Sequence, residues 1–169
     1  MIGKYFLPFQ AMKSILRIFL PLSLSMLGAC VRPVPPGPAA SPASDTAEAM
    51  HLFEANIDAI HSRNREKYLS TYIHGPTLAR NGPTGLQLGY EGWGARRDTT
   101  WPDTLIARNL TVVPITPGVV YGTYCYTVTQ HDTTTSGVSE RLFIKTPEGW
   151  RIAMTSAFGL PVGARAQCK

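Results

Sequence analysis

Cysteine and histidine are scarce in this chain of 169 residues, three of one and four of the other. His51, His61, His74 and His131 are scattered, no pair has the four-residue spacing that puts two imidazoles on one helical face, and no Cys/His cluster occurs. Metal binding and a bound cofactor are therefore not expected. The chain also lacks a glycine-rich phosphate loop, a Gly-x-Ser-x-Gly elbow and a basic stripe interleaved with aromatic residues. Phosphoryl transfer, triad hydrolysis and nucleic-acid binding lose their usual signatures. Acidic residues are missing ahead of residue 30, where Lys4, Lys13 and Arg17 stand alone; the rest carries thirteen basic against eleven acidic side chains, so the net charge of +5 argues for no polyanionic partner. A long hydrophobic run is missing too. The apolar stretch 15–27 has about 13 residues, where a permanent membrane span needs roughly 20.

Enough apolar residue is present for a folded core: 44% of the chain is hydrophobic and 16% charged, which excludes wholly disordered protein and fits one domain with tails. The short apolar stretch, with basic residues before it and Leu27-Gly28-Ala29-Cys30 after it, reads as a signal peptide over residues 1–29. Small residues before the cut fit a signal peptidase, and Cys30 then offers a thiol for diacylglyceryl transfer. This pattern resembles the bacterial lipoprotein box, and ordinary secretion is the alternative. A signal of usual length would start at Met12. Because Val31 rather than Asp follows Cys30, the resemblance implies a cell-envelope location, at the outer membrane on its periplasmic side if the cell has two membranes. Lipid on Cys30 would be the membrane contact, each buried methylene contributing about 0.8 kcal/mol.

Residues 30–44 follow as a tether. Pro33, Pro35, Pro36, Pro38 and Pro42 remove donors and restrict φ, so an extended polyproline-like spacer is expected, reaching up to roughly 40 Å. From Asp45 to about residue 160 the pattern is that of a domain, with residues 161–169 left as a tail. Asp45 heads a capping-box-like start, and Met50, Phe53, Ile57 and Ile60 form one apolar stripe on a helix running to about Arg63. Asn64 can cap a second helix whose buried side is Tyr68, Leu69, Tyr72 and Ile73, ended by Gly75-Pro76. A short hairpin or loop over 77–89 precedes a third helix over about 90–99.

After that the composition turns to Val, Ile, Thr, Tyr and Phe. Runs 110–115, 119–130, 139–146 and 150–158 are separated by Pro117-Gly118, residues 133–137 and Pro147-Glu148-Gly149, as antiparallel strands joined by hairpins would be. Helices followed by a meander give an α+β fold. Alternation puts Val120, Gly122, Tyr124, Tyr126 and Val128 on one face, with Trp150, Ile152, Met154, Ser156 and Phe158, directed at the helices. The opposite face, with Thr123, Thr127, Arg151 and Thr155, is more polar but includes Tyr121 and Phe143, and could pair with a second copy.

The order of these elements, with Gly89-Tyr90-Glu91-Gly92-Trp93 opening the third helix and Gly149-Trp150-Arg151-Ile152 opening the last strand, resembles the nuclear transport factor 2-like superfamily, and within it the SnoaL-like group. The likeness covers about residues 45–160. It implies a cone-shaped domain, N-terminal helices packed on a curved antiparallel sheet, with a pocket at the wide end. Members use that pocket as isomerase, cyclase, dehydratase or binding cavity, often as dimers. Catalytic members place Asp or His soon after the Trp-Arg-Ile; here Ala153-Met154-Thr155-Ser156 follow, none of which shuttles a proton near pH 7.

No catalytic residue is therefore assigned. Tyr68, Tyr72, Trp93, Tyr124 and Tyr126, with Met154 and Ser156, are candidates for a pocket taking a small apolar or aromatic ligand; the alternative is that the rings are core. Asp98, after Arg96-Arg97, is either a pocket carboxylate or a surface ion pair. Glu140 and Arg141 are adjacent strand residues, so at most one enters the cavity. Cys125 and Cys168 can pair once Cys30 carries lipid, or Cys125 is buried and the tail thiol free. Three functions stay open: an envelope-tethered binding module, a SnoaL-like isomerase or hydro-lyase, and a structural dimerisation domain.

Overall fold

The computed structural model describes residues 41–94 and 101–161. Cys30, the proline-rich segment before residue 41, Arg96, Arg97, Asp98 and Cys168 lie outside the described residues.

The first helix, α1 (Pro42–His61), starts inside what composition marks as tether. Ser41 is its N-cap, the side chain accepting from the Ser44 N–H at 3.2 Å, and Pro42 occupies the first turn, where its missing donor leaves nothing unsatisfied. Asp45 is consequently not the cap. It sits one turn in, only 2% exposed, and its carboxylate accepts from the Gly118 N–H at 2.8 Å, tying the helix start to a distant turn. The buried stripe is Asp45, Ala49, Phe53, Asn56 and Ala59, rotated from the apolar stripe of the sequence. Met50 is 41% exposed, and Ile57 and Ile60 are half-buried. Two polar residues can hold the inner face because each has a partner: Asp45 the turn amide, and Asn56 the Thr71 hydroxyl, to which its Nδ2 donates at 2.7 Å.

Asn64 does cap α2 (Arg65–Ser70), accepting from the Lys67 N–H at 2.9 Å. The helix stops ahead of the glycine and proline, because Thr71 and Ile73 turn to bond Ile152 in parallel register: Ile152 N–H donates to Thr71 O at 2.8 Å and Ile73 N–H to Ile152 O at 3.0 Å. A hairpin follows, β1 (Ala79–Gly82) and β2 (Gly85–Leu88), then a short α3 (Glu91–Gly94). The long strands are β3 (Thr104–Thr116), β4 (Val119–Gln130), β5 (Thr133–Thr146) and β6 (Gly149–Gly159). The six strands form one sheet in the order β2-β1-β6-β5-β4-β3. It is mixed rather than wholly antiparallel, since β1 runs parallel to β6. Residues 133–137 are strand, not turn; the reversal is confined to His131 and Asp132, with His131 at φ 52 and its N–H donating to Asp103 Oδ2 at 2.6 Å.

Two irregularities shape the inner face. On β3 the register slips between Arg108 and Thr111, where Asn109 takes φ 55. On β6, Leu142 pairs with Met154 and Phe143 with Ile152, so Ala153 is an extra residue, a bulge. Trp150 and Ile152 face α1 as alternation requires, but the bulge reverses the parity beyond it. Thr155 and Ala157 take the inner face, opposite Arg141 and Ser139, whereas Met154, Ser156 and Phe158 turn outward. The expected inward placement of Met154 and Ser156 is thereby corrected. Phe143, expected outside, is fully buried, as its cross-strand partners Val120 and Ile152 demand. The core gathers Ala49, Phe53, Tyr72, Leu78, Val120, Phe143 and Ile152 between α1 and the sheet. Cys125, on the outer face of β4, is disulfide-bonded; its expected partner Cys168 lies outside the described residues. No helix among the described residues is long and apolar enough to cross a membrane.

Candidate functional site

Beyond the core, where α1 ends, the inner face of β4, β5 and β6 opens into a cavity of about 580 Å³. Its walls come from α2, the β1–β2 hairpin, α3 and the segment leading into β3, with Tyr68, Trp93, Trp101, Tyr124, Tyr126 and Arg141 among the lining residues. Each ring is placed by its neighbours. Tyr68 stands edge-on to Tyr72 at 5.2 Å and to Trp93 and Trp101 at 5.7 Å between centroids. Tyr124 packs edge-on against Phe53 at 4.8 Å. Tyr126 lies across Gly137, its direct cross-strand partner, where a Cβ would sit 2.5 Å from the phenol ring. Arg80 stacks its guanidinium 4.4 Å from the Trp93 centroid, which suits a cation on an indole face.

Four of the five aromatic sequence candidates thus line one cavity: Tyr68, Trp93, Tyr124 and Tyr126. Tyr72 does not. Its ring is fully buried in the core and its hydroxyl donates to Tyr68 Oη at 3.0 Å, so it supports the wall from behind. Met154 is not among the lining residues; Ser156 is, with its Oγ donating to Glu140 Oε2 at 2.7 Å.

Pattern reading passed over Arg141 as a site residue, although alternation had allowed it or Glu140 to enter. The structure admits the arginine. Arg141 is 4% exposed, and its guanidinium is held by neutral oxygens. Nη1 donates to Ser139 Oγ at 2.7 Å, to the Glu140 carbonyl at 3.0 Å and to Thr155 Oγ1; Nη2 donates to Tyr124 Oη at 2.8 Å. Ser139 Oγ in turn donates to the Ser156 carbonyl at 2.5 Å. Arg141 Nε has no partner among the described residues. Glu140 points away, accepting from Tyr121 at 2.7 Å as well as from Ser156, and these bonds hold its carboxyl below the ordinary 4.5.

The hydroxyls of Tyr68 and Tyr126 are kept protonated. Burial, with Tyr72 close by, pushes Tyr68 well above 10.0, and burial, with Tyr124 beside it, raises Tyr126. At neutral pH both stay protonated and do not act as bases. Among the described lining residues there is no Asp, Glu, His or Lys, and among the described residues no group of three or more His, Cys, Asp and Glu is arranged to hold a metal ion.

No family model and no curated protein matches the sequence. Solved structures match the fold. A nuclear transport factor 2-like protein of unknown function from Shewanella oneidensis aligns over 67% of this chain and 98% of its own, at 16% identity and a TM-score of 0.60. A nuclear transport factor 2-like superfamily protein from Salmonella enterica aligns over 75% and 99%, at 14% identity and 0.57. A third, from Streptomyces avermitilis and provisionally called a dehydratase of the same family, aligns over 71% and 99%, at 13% identity and 0.58. The domain therefore has the nuclear transport factor 2-like, cystatin-like α+β fold. A fold of this kind hosts unrelated chemistries, so function has to be argued from the cavity.

Proposed function

We propose that the protein is a lipid-anchored binding domain of the cell envelope that holds a small apolar or aromatic ligand without transforming it. The observation that carries the reading is the cavity wall. Tyr68, Trp93, Trp101, Tyr124 and Tyr126 offer flat apolar surface around a space of about 580 Å³, within the range of small-molecule sites. The phenol hydroxyls supply direction, and those of Tyr68 and Tyr126, being held protonated, no base. Anchoring rests on Leu27-Gly28-Ala29-Cys30, and Val31 favours the outer membrane.

Titration with the neutral fluorophore N-phenyl-1-naphthylamine tests the ligand half. Saturable enhancement that weakens about ten-fold in Trp93→Ala supports it, a single buried aromatic contact contributing on that scale; no saturable enhancement removes it. Mass spectrometry of the processed chain tests the anchor, which requires a diacylglyceryl group on Cys30 and its absence from Cys30→Ser.

An isomerase or hydro-lyase is the second reading, favoured by one feature: Arg141 and Tyr124 put donors at the cavity wall, where they could stabilise an enolate oxygen. The Streptomyces avermitilis likeness points the same way. Its base would be Asp98, or a tyrosine other than Tyr68 and Tyr126. Deuterium uptake from D2O into 1-tetralone, catalysed by the wild type and lost in Asp98→Asn, would establish it.

A further inference from the structure

Arg141 is a full charge set in the inner wall, and no described residue around it neutralises it. A guanidinium has five N–H donors and is not deprotonated in proteins. The acceptors on Nη1 and Nη2 are three hydroxyls and a carbonyl, all neutral. No carboxylate among the described residues forms an ion pair with it. The nearest in sequence, Glu140, is committed to Tyr121 and Ser156 across the sheet. Nη2 makes one bond and keeps a second hydrogen, and Nε–H is unpartnered among the described residues. Two further arginines, Arg65 and Arg80, border the same cavity, and no described lining residue is acidic. Both are engaged by other contacts.

Burying a cation without a counter-charge is costly, and a domain built for stability alone would favour an apolar residue at this point of a strand. The expense is intelligible if the missing negative charge arrives with the ligand. We infer that the cavity takes an anionic amphiphile, a small carboxylate with a flat apolar body, whose head group is seated against Arg141 and Tyr124 and whose body lies among Trp93, Trp101 and Tyr126. Arginine suits this because it meets a carboxylate through fixed, charge-assisted bonds. The inference rests on the binding-domain reading and narrows it to one class of ligand.

The test uses the full chain in lipid nanodiscs, with empty nanodiscs as blank, and compares 1-naphthylacetate with its neutral isostere 1-naphthylacetamide by calorimetric titration at pH 7. The carboxylate is expected to bind about ten-fold or more tightly, as one desolvated charge-assisted contact warrants. Arg141→Met should bring the two within about two-fold of each other, while N-phenyl-1-naphthylamine still binds and shows the cavity intact; Arg141→Lys should retain part of the preference. If Arg141→Met does not fold, the wild-type ratio decides alone. A wild-type ratio near one, with the neutral fluorophore bound, overturns the anion inference and leaves the binding domain standing. Failure of all three probes overturns both.

Discussion

A methyl group added at Gly137 tests how tightly the cavity wall is built. Gly137 faces inward on β5, flanked by Tyr126 on β4 and by Gly159 on β6. A Cβ there would lie 2.2 Å from the Phe158 carbonyl oxygen and 2.5 Å from Tyr126 Cζ and Oη. The ring could swing away, but the carbonyl belongs to the backbone of a paired strand and moves only if the β5–β6 ladder opens. Overpacking of this kind costs about 1–3 kcal/mol, and with a backbone atom in the way the upper half of that range applies. For a domain of this size that lowers the midpoint of thermal unfolding by about 10 °C. Gly137→Ala should also weaken N-phenyl-1-naphthylamine binding, because Tyr126 leaves its place. Gly92→Ala is the internal control: among the described residues nothing beyond its own helix and chain neighbours lies within 4 Å of a Cβ there, and it sits in α3, so it should be neutral or stabilise by about 0.5–1 kcal/mol. Circular dichroism melts of the two variants decide the matter. Equal midpoints would refute the packing argument.

Removing the Asp45 carboxylate in Asp45→Ala leaves the Gly118 amide without its acceptor and should cost about 1.5–3 kcal/mol by denaturant titration, an effect on stability rather than on ligand binding. Ser139→Ala removes both an acceptor for Arg141 and a donor to the Ser156 carbonyl, for roughly 1–3 kcal/mol by the same measurement. Glu140 has a folded pKa below its unfolded value, so its contribution is present above about pH 4.5 and is lost as pH falls through the folded value. Tyr121, bonded to Glu140, has a folded pKa above 10.0, so its contribution is present below that value and fades as pH rises through the raised one. In Tyr121→Phe the Glu140 carboxyl, followed by carbon-13 NMR, should titrate at higher pH than in the wild type; an unchanged midpoint would show that the hydrogen bond does not set it.

Local chemistry carried much of the architecture. Asn64 before Arg65 and the turns at Pro117-Gly118 and Pro147-Glu148-Gly149 marked where elements change, and the alternation of β4 correctly assigned Tyr124 and Tyr126 to the inner face. What was not legible depends on partners distant in sequence. Asp45 looks like a cap until the Gly118 amide, 73 residues away, is brought to it. The parallel pairing of β1 with β6 follows from the path the chain takes over α2, for which no run of residues is diagnostic. One extra residue at Ala153 defeats period-two counting along the remainder of β6, and it is the pairing with β5 that reveals it.

That bulge also explains why the site was half seen. Rings announce themselves by size, and four of five tyrosine and tryptophan candidates did line the cavity. A single arginine in a strand that also carries Glu140 and Lys145 does not announce itself, because its meaning depends on which neighbours cross the sheet to meet it. With strict alternation along β6, Ser156 would have faced inward and Thr155 outward. The bulge turns Thr155 to Arg141 and sends Ser156 to Glu140, so that one slip of register supplies an acceptor to the cation on the inner face and a donor to the anion on the outer. Two adjacent opposite charges, Glu140 and Arg141, are thereby held on opposite faces of one strand, each solvated by hydroxyl groups instead of by the other. The arginine charge is left facing the cavity without the carboxylate that stands beside it in the chain, and a carboxylate brought by a ligand is the complement this arrangement leaves unfilled.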